Sequence, residues 1–351
     1  MADRFPNELP IQFTTTSDGV RIAYAVVGQG PTCVFTQAPA CAHSQLGWSL
    51  FRDNFVLLAE RLRLVLFDWR NTGMSGATEE GFTIEAGVRD LDAVVDSAAP
   101  GEPISLWASA GSAFAVVPYA ARHPDRVQRL ALFCPGVRPA SNLPRSWLAW
   151  QDLIDEEPEF ATKLSLQAGA GWENEVEARK MQYLAAGAPL DYQARIENLV
   201  ATKLDVTEYI PHVTCPTLVV GRRELWWPTA SDCIELAAEF PDGRFVLLDG
   251  ASYFPGDDEP AGPVMVEFLA GVPPAAAPVA EPRSSPCEPL SVREHEVLAL
   301  IAGGKTNPEI AEALTIAPAT ASRHVHNILG KIGATRRSEA AAYALREGLV
   351  E

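Results

Sequence analysis

No apolar run in the 351-residue chain reaches the roughly 18 residues that a membrane span needs. No signal-peptide pattern precedes Asp3 and Arg4. A soluble, cytoplasmic protein with no membrane partner is therefore expected. Positive charge is scarce: 28 Lys and Arg face 45 Asp and Glu, a net charge of −17, which argues against a general nucleic-acid binder. The six cysteines, at 33, 41, 134, 215, 233 and 287, have no paired metal-ligand spacing. No metal or other cofactor is expected, and the thiols read as reduced and mostly buried. Internal repeats are absent. What remains is 47% hydrophobic and 21% charged, the composition of a folded chain long enough for one large and one small domain.

The large domain is expected over 1–271. Ile11-Thr15 and Val20-Val27 read as paired strands around the turn Ser17-Asp18-Gly19. Thr32-Thr36, Leu64-Phe67, Ile104-Trp107, Val127-Phe133, Thr217-Val220 and Phe245-Leu248 are short β-rich apolar runs, the pattern of buried parallel strands. Helical stretches such as Ile84-Ala98 and Ala110-Arg122 alternate with them, which predicts an α/β sheet. From about 140 to 206 the strand signal stops. An acidic helical insertion there would form a lid over the sheet's C-terminal edge, with Trp147, Trp150, Phe160, Trp172, Tyr183 and Tyr192 as lid core or cavity wall.

Residues 272–289 hold six prolines and read as a semi-rigid linker. A small all-α domain is expected over 290–351. Ser291 with Glu294, and Thr306 with Glu309, are capping boxes that start helices. Val297, Leu298 and Ile301 line one apolar face, and Gly303-Gly304 stops the first helix. A third helix runs from about Ala319 to Gly330 and buries Val325, Ile328 and Leu329; a fourth begins near Thr335. Two short helices around a tight turn suggest a helix-turn-helix, although a small helical bundle or docking domain has the same periodicity. In a helix-turn-helix, Ser322, Arg323, His326 and Asn327 would face base edges, and Thr320, Lys331, Arg336 and Arg337 would hold phosphates. Residues 288–351 carry eight acidic and seven basic side chains, so most of the acidity lies elsewhere.

This segment resembles the LuxR-type helix-turn-helix. The likeness rests on Leu290, Arg293-Glu294, Glu296-Val297-Leu298, Gly303-Gly304, Asn307, Glu309-Ile310-Ala311, Leu314, Ile316, Thr320, His324, Asn327-Ile328, Lys331-Ile332 and Ala340. The resemblance implies binding to double-stranded DNA as a homodimer on a two-fold site. Pro308 and Ser322 depart from it, standing where the family often has a basic residue.

Three segments of the large domain, Asp68-Trp69-Arg70-Asn71-Thr72-Gly73-Met74-Ser75, Arg122-His123-Pro124-Asp125-Arg126-Val127, and Cys215 to Arg222, come in that order, and by them residues from about Ile11 to Gly271 resemble an α/β-hydrolase. Leu106-Trp107-Ala108-Ser109-Ala110-Gly111 reads as a strand-turn-helix elbow with Ser109 at the nucleophile position. The resemblance puts Glu224 at an acid position and Tyr253 where the base, a histidine, is expected. A phenol with a reference pKa of about 10 accepts protons poorly at neutral pH, so the triad reads as degenerate and no catalytic residue is assigned. His43 is the least distant substitute. Two further departures are Trp107, where a small residue is usual two before the serine, and Pro39 in the oxyanion loop. The amides of Ala40 and Ala110 would remain as a donor pair.

The reading that follows is a ligand-responsive regulator. The hydrolase-like domain would bind a small apolar ester, lactone or phenol without efficient turnover, between Trp107, Trp150, Trp226, Trp227, Tyr253 and Phe254, with Ser109, Tyr253 and the Ala40 and Ala110 amides as polar anchors. The alternatives are an active serine esterase or lactonase fused to a DNA-binding domain, and a ligand-free dimerisation scaffold.

Overall fold

The computed structural model describes residues 5–136, 152–153, 156–172, 174–187, 205–225, 227–253, 261–271, 291–302, 305, 307–314, 325, 328 and 344. The chain divides into two compact units, Met1–Ala275 and Ala276–Glu351.

Eight strands form one sheet in the larger unit: β1 (Gln12–Thr15), β2 (Arg21–Val27), β3 (Thr32–Thr36), β4 (Arg63–Phe67), β5 (Ile104–Ser109), β6 (Val127–Phe133), β7 (Thr217–Arg222) and β8 (Gly243–Leu248). Their order is β1-β2-β4-β3-β5-β6-β7-β8. The hairpin β1-β2 and the pair β2-β4 are antiparallel; every later neighbour is parallel. The parallel strands are largely apolar because helices cover both faces. Leu106 and Ala108 of β5, with Leu130 and Leu132 of β6, face α3 (Ile84–Ala98) and α4 (Ala113–Arg122). Their alternates Trp107, Ala131 and Phe133 face α1 (Ser44–Leu50), α2 (Arg52–Ala59) and the helix Ala261–Leu269. The period of two along each strand thus divides the core into two layers.

Between β6 and β7 lie α5 (Pro158–Ala170) and α6 (Glu175–Gly187), as the lid reading required. Their aromatics correct that reading. Phe160, Trp172 and Tyr183 are 58%, 64% and 61% exposed, so they are neither lid core nor cavity wall. The lid buries Ala161, Met181, Leu184 and Ala185 instead. Trp147, Trp150 and Tyr192 fall outside the described residues, as does the linker 272–289.

The loop after β4 fixes α1 on the sheet. Asp68 accepts from the Ser44 amide at 2.5 Å and the Met74 amide at 2.9 Å. Ser75 Oγ donates to the Asp68 carbonyl at 2.6 Å and accepts from the Ala23 amide at 2.9 Å. Gly73 has φ 50°, and a Cβ there would lie 2.3 Å from Asp68 Oδ2, so only glycine lets the loop close. Burial raises the Asp68 carboxyl above its ordinary pKa, opposing the two amide hydrogen bonds.

Among the described residues no helix is long and apolar enough to cross a membrane. No group of His, Cys, Asp or Glu among them is placed to hold a metal. Cys33, Cys41, Cys134, Cys215 and Cys233 are buried and unbridged.

Candidate functional site

Strand β5 ends at Ser109, and the chain turns through Ala110–Ser112 into α4. Ser109 keeps an extended backbone, φ −107° and ψ 130°. Ala110 takes the left-handed conformation, with φ 50°. A nucleophile elbow holds its reactive residue at the strained point of the turn, and positive φ is uncommon outside glycine. The strained point here carries a methyl group. The expectation that Ser109 fills the nucleophile position is therefore corrected by one residue. The small residue two before the apex is then Ala108, and the apparent misfit of Trp107 disappears. Thr36 and Ser112 stitch the turn together: Thr36 Oγ1 lies 3.0 Å from the Trp107 carbonyl and 2.9 Å from Ser112 Oγ, and Ser112 Oγ lies 2.9 Å from the Ser109 carbonyl.

Beside the turn is a cavity of about 70 Å³. Strand ends and their loops supply Phe35, Gln37, Ala38, Trp107, Ser109 and Ala110; α2 and its start supply Phe51, Asn54, Phe55 and Leu58; Cys41, Leu184 and Tyr253 complete the described walls. The lid therefore reaches the cavity through Leu184. Burial pushes the Cys41 thiol up to about 12, so it stays protonated and apolar in character. The Ser109 hydroxyl makes no hydrogen bond among the described residues.

Tyr253 lines the cavity, but its hydroxyl donates to the Trp227 carbonyl. Its proton is committed, and only acceptor capacity remains. Its backbone amide donates to the Gly169 carbonyl at 2.7 Å, and a Cβ on Gly169 would come within 2.6 Å of its ring. Burial raises the phenol well above its ordinary pKa. The site thus gives Tyr253 no route to act as a base, and the expectation of a free hydrogen-bonding anchor is narrowed to an acceptor. Glu224 is exposed and stands outside the cavity's described walls. His43 caps α1, its Nδ1 accepting from the Leu46 amide at 3.5 Å. It is not among the cavity's described walls.

Trp227 is also corrected as a wall. It packs so closely on Gly136 that a Cβ there would lie 2.6 Å from its ring, and the cavity's described walls do not include it. Ala40 sits in the short turn Pro39–Cys41, with its side chain outside the described residues. Trp150, Trp226 and Phe254 also fall outside them. Sequence reasoning missed Phe35, Phe51, Phe55 and Leu58, which line the cavity from α2 and the third strand.

The smaller unit has its own core of Val297, Leu298, Ile301, Ile310, Ala311, Val325, Ile328 and Ala344. Helix Val292–Ala302 starts with the expected capping box: the Ser291 amide donates to Glu294 at 2.8 Å, and the Glu294 amide to Ser291 Oγ at 3.3 Å. Arg293 reaches across to the Leu314 carbonyl at 2.7 Å, satisfying the C-terminal end of helix Asn307–Leu314. Residues 288–344 match the family described as bacterial regulatory proteins, luxR family, and residues 39–168 match the alpha/beta hydrolase fold.

The chain joins an α/β-hydrolase fold to a luxR-family domain.

Curated relatives named as transcriptional regulators align with this chain over short stretches. The transcriptional regulatory protein LiaR of Bacillus subtilis is 51% identical over 65 residues, covering 18% of this chain and 31% of that protein. The probable transcriptional regulatory protein NarL of Mycobacterium tuberculosis is 43% identical over 70 residues, covering 20% and 32%. The chain thus spans about a third of the length of the curated relatives it matches. Solved structures align with the hydrolase fold. The enol-lactonase from Burkholderia xenovorans LB400 superposes with a TM-score of 0.60 at 19% identity, over 74% of this chain and 99% of that one. Est816, described as an N-acyl homoserine lactone degrading enzyme, gives 0.62 at 17% identity, over 74% and 100%. At such identities the likeness is one of fold.

Within the luxR-family domain, Val325 and Ile328 are buried as the helical stripe required. The residues expected at DNA (Thr320, Ser322, Arg323, His326, Asn327, Lys331, Arg336 and Arg337) and the capping residue Thr306 lie outside the described residues.

Proposed function

We propose that this protein is a ligand-responsive, DNA-binding transcription regulator. Its α/β-hydrolase fold binds a small apolar ester, lactone or phenolic effector without turning it over. Its luxR-family domain binds a two-fold DNA site as a homodimer. The observation that carries the ligand half is an apolar cavity beside an elbow whose strained residue is Ala110. The DNA half is supported by the luxR-family match and by relatives named as transcriptional regulators. Two proteins of similar fold are named for acting on lactones, which supports that effector class among the three.

An effector can shift DNA binding only by its differential affinity for two states of the protein, typically about 1–3 kcal/mol. By linkage, operator DNA changes effector affinity by the same factor. Calorimetric titration of an effector with and without operator DNA tests the reading. A several-fold difference in affinity is expected. Equal affinities, with an unchanged DNA footprint, would reduce the hydrolase fold to a scaffold.

Base reading and phosphate holding separate by mutation. Arg323→Ala is expected to cost about 1–3 kcal/mol and to relax base preference at one position. Arg336→Ala should weaken all sequences alike and lower the salt dependence of binding by about one unit of slope. Binding isotherms on matched and mismatched inverted repeats at several salt concentrations distinguish the two. Full-length protein with no sequence preference would remove the DNA half of the proposal.

A further inference from the structure

Large apolar side chains stand in solvent at seven described positions, and four of these belong to the lid. Phe13, Leu57 and Ile234 lie singly on three other elements, as scattered surface apolar groups do. Phe160, Trp172, Val176 and Tyr183 are on α5, on α6 and in the turn between them, and all are more than half exposed. Apolar side chains gathered on one surface mark a place of contact. The spacing along α6 gives it two faces. Met181, Leu184 and Ala185 are buried against Cys41, and Leu184 lines the cavity. Val176 and Tyr183, about two turns apart, stand on the opposite side with Arg179 between them. Two charges of α6 are used within the unit. Glu177 is buried and pairs with Lys180 at 3.2 Å, and the Lys180 ammonium lies over the Phe51 ring at 5.4 Å. Glu175 and Arg179 remain on the outer face, well exposed and 3.7 Å apart. An exposed ion pair of this kind contributes little to the fold.

We propose that the outer face of α6 is where two copies of the chain meet, α6 packing antiparallel on its counterpart across a two-fold axis between Val176 and Arg179. This rests on the homodimer in the reading above and names its surface. A second copy is the partner because the face complements itself. A two-fold contact presents the same patch from both sides. On antiparallel helices, an acid and a base about one turn apart then each meet their opposite. Glu175 of one copy faces Arg179 of the partner subunit, and its Arg179 faces Glu175 of the partner subunit. Trp172, Val176 and Tyr183 close around the axis as the apolar part of the contact. A partner surface of one sign would satisfy one of the two charges and oppose the other. One helix then stands between the cavity and the second copy, with Leu184 on one side and Tyr183 on the other.

Sedimentation equilibrium on full-length protein tests the contact. Tyr183→Glu should raise the dimer dissociation constant by about tenfold or more. Ile234→Glu, an exposed apolar position on another helix, should leave it unchanged. The decisive arm exchanges charges. Arg179→Glu and Glu175→Arg each set like charges against one another across the axis, and each variant should self-associate roughly tenfold more weakly. An equimolar mixture of those two variants should recover the parent's association as a mixed dimer, because every acid then faces a base. Neither the ion pair within one chain nor a contact through the luxR-family domain produces that recovery. All the substituted side chains are exposed, so thermal melts of the variants should match the parent. Variants that associate as the parent does, with no preference for the mixed pair, overturn this surface and leave the homodimer reading intact. A parent that stays monomeric at every concentration overturns both.

Discussion

Purified full-length protein should hydrolyse p-nitrophenyl esters no faster than its Ser109→Ala variant. The expectation follows from where the turn puts its strain. In a serine hydrolase the strained elbow residue carries the nucleophile, a neighbouring imidazole takes its proton, and an acid orients the imidazole. Here the strained residue is Ala110, whose methyl group cannot attack a carbonyl. The base position holds Tyr253, whose proton is given to the Trp227 carbonyl and whose pKa burial raises. Glu224 is exposed and does not line the cavity. Loss of the nucleophile or the base alone costs on the order of 10⁶ in kcat in a serine protease. On the proposed reading both positions have changed, so the losses do not simply add, and no serine-dependent hydrolysis is expected. Ala110→Ser alone should remain inactive because no base accompanies it. A robust rate in the parent that disappears in Ser109→Ala would sink this expectation and restore an esterase fused to a DNA-binding domain.

The elbow shows where sequence reading stops. All eight strands were legible, the first two as a pair around the turn Ser17-Asp18-Gly19 and the other six as short, β-rich apolar runs. The register of the turn was not. A search for a hydroxyl followed by glycine selects Ser109, while the backbone selects Ala110. The signal for the shift was present: Trp107 is too large two before an apex, and Ala108 is not. The cavity was half legible. Trp107, Ser109, Ala110 and Tyr253 belong to strand ends that an α/β sheet brings to one edge. Phe51, Asn54, Phe55 and Leu58 belong to a helix whose periodicity only says that one face is buried. Which surface that face meets is a long-range fact, fixed here by Asp68 binding the first amide of α1. The lid was misjudged because aromatic residues read as core. On α5 and α6 the buried stripe is made of Ala161, Ala178, Met181, Leu184 and Ala185, and large rings stand outside it.

Asp90→Ala should destabilise the larger unit by about 3–5 kcal/mol, the cost of leaving a buried charge without its buried partner. Arg70 follows Asp68 in the loop after β4, and its side chain is 0% exposed. Asp90, on α3, is equally buried. It accepts from the Arg70 backbone amide at 3.0 Å, from Nε at 2.9 Å and from Nη2 at 2.8 Å. Asp18 at 2.9 Å and Glu80 at 3.2 Å complete the guanidinium's partners, and Arg89 bridges those two carboxylates. Truncating Asp90 removes three hydrogen bonds and leaves the buried guanidinium only the partly exposed carboxylates of Asp18 and Glu80. Asp90→Asn keeps an acceptor and should cost less. Glu80 is 42% exposed, and Glu80→Ala should cost no more than about 1 kcal/mol because solvent already screens that pair. All eight tryptophans lie at or before residue 227, so urea melts followed by tryptophan fluorescence report this unit without interference from the luxR-family domain. A loss below about 1 kcal/mol for Asp90→Ala would mean that Asp18 and Glu80 hold Arg70 without it. The same variant connects stability to the cavity. Asp68 lies two residues from Arg70 and binds the Ser44 amide, so a loosened loop releases α1 and, with it, the α2 wall formed by Phe51, Asn54, Phe55 and Leu58. Affinity for a small effector in this cavity should therefore fall in Asp90→Ala, although residue 90 is not among the cavity's described walls, and should be unchanged in Glu80→Ala.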